Sequence, residues 1–164
     1  MGNPLSVGDK IPEATLSRMG DKGPEGVALS SFTKGKKVAI FGLPGAFTGT
    51  CSMAHLPSFM RTAEALKAKG VDHIICISVN DPFVMQAWDQ AHGAGTAGIE
   101  MLADPASEFT KAAGLAFSVP PIGFVDRCQR FSALVDDGEV KIMNVEEQAG
   151  VCNISAGETL LGQL

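Results

Sequence analysis

The sequence predicts an α/β protein with a central mixed β-sheet flanked by helices, folded as a single domain over residues 1–164. Three observations lead there. Short, continuously apolar runs at residues 38–43 and 74–77 read as strands buried on both faces. Each is followed by helical periodicity, the order that parallel strands joined by crossover helices require. Toward the C-terminus, two alternating runs flank Asp137-Gly138, a hairpin signal that adds antiparallel strands.

Residues 4–15 read as an irregular lead-in with a turn at Gly8-Asp9, and residues 20–26, rich in Gly, Pro and charge, as a surface loop or hairpin tip. The strand at 38–43 is bounded by lysines and Pro44. A helix follows over 52–69: Leu56, Phe59, Met60, Ala63 and Leu66 recur at helical spacing, and Gly70 closes it. Pro57 inside that pattern predicts a break or kink near its start. Residues 73–79 form the second strand, after which Asn80-Asp81-Pro82 opens a helix to residue 91, with Asp as the cap and Pro at the first position. The flexible Gly93-Ala94-Gly95 leads to a third strand at 100–103. Asp104-Pro105 repeats the cap-and-proline start for a helix through residue 113, ended by Gly114. Residues 129–135 and 140–145 are the hairpin strands, and 156–161 a short closing helix.

Charge excludes several functions. The net charge is −5, and Lys34-Gly35-Lys36-Lys37, the only dense basic patch, reads as a solvated turn, so no nucleic-acid surface is expected. No run of about 18 apolar residues exists to span a membrane, and no secretory leader opens the chain. Met1-Gly2-Asn3-Pro4-Leu5-Ser6 fits the loose myristoylation pattern, but no polybasic segment supplies a second anchor, and the match is read as chance. Four widely spaced cysteines (Cys51, Cys76, Cys128, Cys152) include no CxxC, and His55, His73 and His92 are scattered. Neither disulfide staples, a metal nor any other cofactor is expected, and the thiols suit a reducing compartment: the cytoplasm, with an organellar mature form left open.

The residue with the most chemistry is Cys51. It follows the turn after the first strand and stands where a helix begins, with hydroxyls on either side. Unsatisfied N–H groups and the positive end of the macrodipole favour thiolate there, and the thiolate is the nucleophile. An unperturbed thiol, with a pKa of about 8.5, is mostly protonated at neutral pH, so a helix start and a nearby cation are what a reactive cysteine needs.

The string Pro44-x-x-x-Thr48-x-x-Cys51 resembles the PxxxTxxC signature of peroxiredoxins, whose fold is thioredoxin-like. The runs from Phe41 to Thr48, from Cys51 through His55-Leu56-Pro57, and from Ile77 to Met85 resemble the type II, peroxiredoxin-five-like branch. So do Arg130-Phe131-Ser132 and the Asp136-Asp137-Gly138 turn, and the likeness covers essentially the whole chain. It implies a thiol-dependent peroxidase acting on hydrogen peroxide and alkyl hydroperoxides. Cys51 is then the peroxidatic nucleophile, Thr48 hydrogen-bonds the thiolate and the peroxide, and Arg130 stabilises the thiolate and orients the O–O bond. Pro44 shields the pocket, and backbone N–H groups near Gly49 and Cys51 complete the donors. The family usually carries Pro where Gly49 stands; glycine loosens the loop and deletes no catalytic side chain.

Arg127 and Arg130 are both in the neighbourhood, and the Arg-Phe-Ser context favours Arg130. A Cys51–His55 dyad lacks an identifiable orienting partner for the imidazole, and the helix would aim His55 away from the pocket. Trp88, Phe83 and Met85 read as core or dimer contacts. The sulfenic acid left on Cys51 must meet a thiol. The resemblance offers Cys76, as in plant-like members, although its apolar strand argues for packing and a bridge to Cys51 would need the active helix to unwind. It also offers Cys152, which falls about two residues early against animal-like members. An external thiol, from glutaredoxin and glutathione or from thioredoxin, is favoured over a Cys51–Cys152 disulfide, with Cys76 as a candidate participant. The resemblance further implies a homodimer. The alternatives are a low-turnover peroxide sensor or relay and a Cys–His hydrolase.

Overall fold

The computed structural model describes residues 3–164, so the Met1-Gly2 start of the lipidation pattern lies outside the described residues. A seven-stranded mixed sheet runs through the centre. Its core is β3 (Lys37–Leu43), β4 (His73–Ser78) and β5 (Ile99–Ala103), paired in parallel through Phe41↔Cys76 and Cys76↔Met101. The predicted hairpin is β8 (Phe131–Asp136) and β9 (Glu139–Val145), and β8 lies antiparallel against the free side of β3. Asp137 and Gly138 both take positive φ, 48° and 83°, as the tight turn between twisted strands demands.

Continuous apolar runs are explained by cover on both faces. Ala39, Phe41, Leu43, Ile74 and Cys76 point into one cluster, while Val38, Ile40, Ile75 and Ile77 point into the other. The first is roofed by α2 (Leu56–Ala68), α3 (Pro82–His92) and α5 (Gly157–Gly162). Asp81 caps α3 as expected, its carboxylate accepting from the Val84 N–H at 2.8 Å, and Gly93 closes it with φ 74°.

Two strand pairs and a helical turn were not assigned by the pattern, and one helix is shorter than expected. Residues 20–26, read as a surface loop or hairpin tip, hold the tip of a hairpin whose strands the pattern did not assign, β1 (Thr15–Gly20) and β2 (Gly23–Ala28), and which extends the sheet edge through Ser17↔Ala103. A single helical turn, α1 (Ser30–Thr33), follows it. Residues given no element form a separate antiparallel pair, β6 (Ala116–Val119) and β7 (Phe124–Cys128), joined by a 3₁₀ turn at Pro120–Ile122. The helix expected to start at Asp104-Pro105 is shorter, α4 (Glu108–Ala112), because Ser107 takes φ 58° and breaks the turn. Asp104 nevertheless caps across that break, with its buried carboxylate accepting from the Phe109 and Thr110 N–H groups at 3.2 and 2.9 Å.

The C-terminal helix sits tightly on α2. The Gly157 N–H donates to Ser58 Oγ at 2.9 Å, and a Cβ at this position would lie 2.6 Å from the Ser58 carbonyl oxygen and against the Thr62 hydroxyl. Gly157→Ala is expected to cost about 1–3 kcal/mol, read as a lower urea midpoint at unchanged m-value.

Candidate active site

The site lies where the parallel strands end. β3 runs into the buried Pro44, and the chain then turns through Ala46, whose N–H donates to Asn80 Oδ1 at 2.9 Å. Asn80 follows β4, so the ends of two neighbouring strands hold this loop. Phe47 takes φ 63° and is 55% exposed, a strained and costly arrangement for an aromatic residue beside a nucleophile. Helical backbone begins at Gly49, and its first bond runs from the Ser52 N–H to the Thr48 carbonyl at 3.0 Å. The N–H groups of Gly49, Thr50 and Cys51 precede that bond and are left for a ligand. Thr50 was not singled out in the sequence.

The disruption expected from Pro57 is a π turn at Cys51–His55, in which the Leu56 N–H reaches back to the Cys51 carbonyl. Proline brings no N–H to the ladder and crowds the carbonyl four residues earlier, so the turn widens just ahead of it. Ser52 is fixed from the side, its hydroxyl accepting from Trp88 Nε1 at 2.9 Å. Trp88 and Met85 are core residues as expected, while Phe83 is 60% exposed.

Arg130 stands in the short link between β7 and β8, its carbonyl accepting from the Glu146 N–H at 2.9 Å. The side chain is fully buried. Nη2 donates to Cys51 Sγ at 3.2 Å and to the Ala149 carbonyl at 3.0 Å. Nη1 lies 3.1 Å from His55 Nδ1, and Nε has no partner. No carboxylate forms an ion pair with it among the described residues. Arg127, the other candidate, instead donates from Nη1 to the Pro44 carbonyl at 3.0 Å and lies 5.0 Å over the Phe124 ring, bracing the loop rather than the sulfur.

Thr48 is half-buried, and its hydroxyl donates to the Gly45 carbonyl at 2.7 Å rather than to Sγ. Its lone pairs remain open. A Cβ at Gly49 would meet nothing within 4 Å, so the loop has room there for a larger residue.

His55 corrects the expectation that it points away. The widened turn keeps it beneath Cys51, fully buried, with Nε2 3.0 Å from the Ser155 carbonyl and Nδ1 on Arg130. Burial and the Arg130 charge hold its pKa down at about 3, so the ring is neutral. Both nitrogens are engaged away from the sulfur, and no Cys–His dyad forms.

The remaining thiols differ sharply in setting. Cys76 is fully buried in β4, and burial pushes its pKa well above the ordinary thiol range. Cys128 is equally buried, pushed up to about 12, with its thiol donating to the Gln129 carbonyl at 3.2 Å. Cys152 is half-buried and raised by burial. It belongs to a strap, residues 146–155, folded around the buried Glu146, whose Oε1 accepts from the Asn153 and Ser155 N–H groups at 2.6 and 2.9 Å. The strap crosses the site: Thr50 Oγ1 donates to the Gly150 carbonyl at 2.9 Å. No periodicity announces it.

Residues 6–161 match the family model named Redoxin. The chain is 42% identical to Peroxiredoxin-2D of Arabidopsis thaliana over 162 residues, covering 98% of this chain and 99% of that one. It is 44% identical over 160 residues to the chloroplastic Peroxiredoxin-2E-2 of rice, covering 95% of this chain and 71% of the other. Reduced Prx3 of Vibrio vulnificus, solved in complex with hydrogen peroxide, superposes with a TM-score of 0.90 at 43% identity, covering 97% of this chain and 98% of that one. A sheet of this order, a cysteine at the head of a distorted helix and these relatives agree: the chain belongs to the Redoxin family, within it to the type II peroxiredoxins, thiol peroxidases of thioredoxin-like fold.

Proposed function

We propose that this peroxidase acts on hydrogen peroxide and small alkyl hydroperoxides, with Cys51 as nucleophile, and is recycled by an external thiol from glutaredoxin and glutathione or from thioredoxin. The observation that carries the reading is the Arg130 guanidinium, buried without a carboxylate and donating to Cys51 Sγ at 3.2 Å. A buried guanidinium that donates to the sulfur and meets no carboxylate interacts more strongly with an anionic sulfur than with a neutral one. The Cys51 thiolate attacks one peroxide oxygen; an S–O bond forms and the O–O bond breaks. The leaving oxygen departs as hydroxide or alkoxide and takes a proton from solvent, which leaves Cys51 as sulfenic acid. Arg130 and the N–H groups of Gly49 and Cys51 stabilise charge on the departing oxygen. The Thr48 hydroxyl accepts from the peroxide O–H, and Pro44 walls the pocket. Cys51 is itself fully buried, which favours small substrates.

The sulfenic acid then condenses with a thiol, releasing water, and a second thiol frees Cys51. Cys76 is a poor resolving group, since it is hydrogen-bonded into the middle of the sheet and its thiolate is disfavoured. Cys152 is the better internal candidate, because the Thr50–Gly150 bond brings its strap to the residue before Cys51. An NADPH-coupled assay of wild type and Cys152→Ser with each reducing system distinguishes the routes. The expected result is turnover by the variant within about twofold of wild type with glutaredoxin and glutathione. Loss of turnover in the variant with both systems would instead assign resolution to Cys152.

The homodimer belongs to the same proposal. Phe47, Met53 and Phe83 are 55%, 82% and 60% exposed, and all stand on segments that frame the Cys51 turn. Phe83→Glu is expected to shift sedimentation toward monomer; a variant that sediments as wild type would place the interface elsewhere. A reducing compartment, the cytoplasm, suits a chain with four free cysteines.

A further inference from the structure

We infer that His55 is the positioning residue for Arg130, and that its service as an uncharged acceptor is what leaves the guanidinium charge for Cys51. The inference rests on the proposed roles of Cys51 and Arg130, and goes beyond them. Geometry fixes the tautomer. A carbonyl only accepts, so the nitrogen facing the Ser155 oxygen at 3.0 Å carries the proton. A guanidinium only donates, so Nδ1, 3.1 Å from Arg130 Nη1, presents its lone pair. The imidazole is therefore neutral on hydrogen-bonding grounds, and its low pKa agrees.

The surroundings hold the ring in that state and orientation. Phe41 from β3 and Phe59 from α2 wall it at centroid separations of 5.1 and 5.7 Å. Ser155 is itself buried, its N–H and hydroxyl both donating to Glu146 at 2.9 and 3.0 Å. The ionisable groups gathered here are Cys51 on the π turn, Cys76 on β4, Cys128 at the end of β7, Arg130 before β8, and Glu146 and Cys152 on the strap. Glu146 is occupied with backbone and hydroxyl donors of its own strap. A continuous relay runs from Glu146 through Ser155 and His55 to Arg130 and the sulfur.

An acceptor is needed because Nη1 is buried and an unpaired donor there would let the guanidinium swing toward other carbonyls. A carboxylate would satisfy the donor and also neutralise the charge, leaving the sulfur a weaker partner. Imidazole satisfies it without competing. The position thus selects for a neutral acceptor, and the substitutions separate accordingly. Asparagine keeps an uncharged acceptor near the Nδ1 position, leucine removes the acceptor, and aspartate supplies a charged one.

The test uses the full chain in the Cys152→Ser background, where Cys51 is the reactive thiol. Its readouts are the second-order rate with hydrogen peroxide and the pH profile of Cys51 alkylation by iodoacetamide. His55→Leu and His55→Asp are expected to lose about tenfold to hundredfold in peroxide rate, with alkylation profiles displaced to the alkaline side. His55→Asn is expected to stay within about threefold of the parent, with the profile in place. Arg130→Met, run beside them, keeps the two claims apart. If it reacts like the parent, the reading of Arg130 itself fails; if it collapses while His55→Leu and His55→Asp keep the parent rate and profile, the inference about His55 is overturned. Equal losses in all three His55 variants at an unshifted profile would also overturn it, as packing alone. Should the variants not fold, nitrogen NMR of the reduced parent decides: a ring protonated at Nε2 alone at pH 7 supports the inference, and an imidazolium or an Nδ1–H tautomer refutes it.

Discussion

Arg130→Met is expected to lower the second-order rate constant for hydrogen peroxide by about a hundredfold to a thousandfold, the usual consequence of removing a preorganised donor from developing negative charge. Methionine keeps much of the aliphatic stem, so the buried space is filled and the fold is retained. What goes is the only cation bonded to Cys51 Sγ among the described residues, along with the donors to Ala149 and to His55. Two effects compound: the sulfur loses its partner in the anionic form, and the leaving oxygen loses a positive centre. The loss is expected to shrink when the assay is moved to alkaline pH, where thiolate forms without help. Arg127→Met should act differently, since Arg127 braces the Pro44 carbonyl and never reaches the sulfur. A modest rate loss with an unmoved pH profile is expected there. Peroxide kinetics followed by the fluorescence of Trp88, the only tryptophan and hydrogen-bonded to Ser52, would measure both variants.

Acid is expected to destabilise the fold through His55. Its pKa of about 3 in the folded chain lies below the ordinary 6.5, so as pH falls the unfolded chain binds the proton first. Stability is therefore whole above about pH 6.5 and drains away down to about pH 3, by up to about 1.4 kcal/mol per pH unit. Below that range both states carry the proton and this loss stops growing. Carboxylates also lose partners in acid, so the comparison that isolates the imidazole is wild type against His55→Asn, which cannot titrate at this position. Urea midpoints measured from pH 7 to pH 4 should show wild type losing ground relative to the variant as pH falls. A stability difference that stays constant across the range would mean that the buried ring takes up a proton without cost, and wild type gaining on the variant would mean that the ring is already charged in the fold.

Much of this was legible because local rules and tertiary structure agree. Two continuous apolar runs named the buried parallel strands, and Asp81, Pro82 and Gly93 marked the limits of α3. Asp137-Gly138 named the hairpin. Pro57 forecast a distorted turn, and the distortion is the π turn at Cys51–His55. The tip of the β1–β2 hairpin showed as a loop or hairpin signal, but its strands were not assigned, because they carry Gly, Pro and charge and lie at the sheet edge, where one covered face is enough. At the site, Cys51 stood out by its place at a helix start and by resemblance, Arg130 by resemblance alone, and Arg130 Nη2 lies 3.2 Å from the sulfur. Glu146 and Ser155 left no comparable trace, since a strap without regular elements has no period to detect. His55 stands four residues after Cys51, which suggests a base for the sulfur, but nothing near it in sequence shows what its ring meets. Its partner is the arginine, on a segment far away in sequence.

The most direct test of Cys51 as the peroxidatic nucleophile is the intact mass of the fully reduced protein, taken seconds after one equivalent of hydrogen peroxide, with Cys51→Ser treated in parallel. The account predicts a gain of about sixteen mass units, one oxygen, on the wild type alone. A loss of about two units confined to the wild type would keep Cys51 as the nucleophile but replace external resolution by an internal disulfide. Equal modification of wild type and variant, or of neither, would contradict the assignment of Cys51.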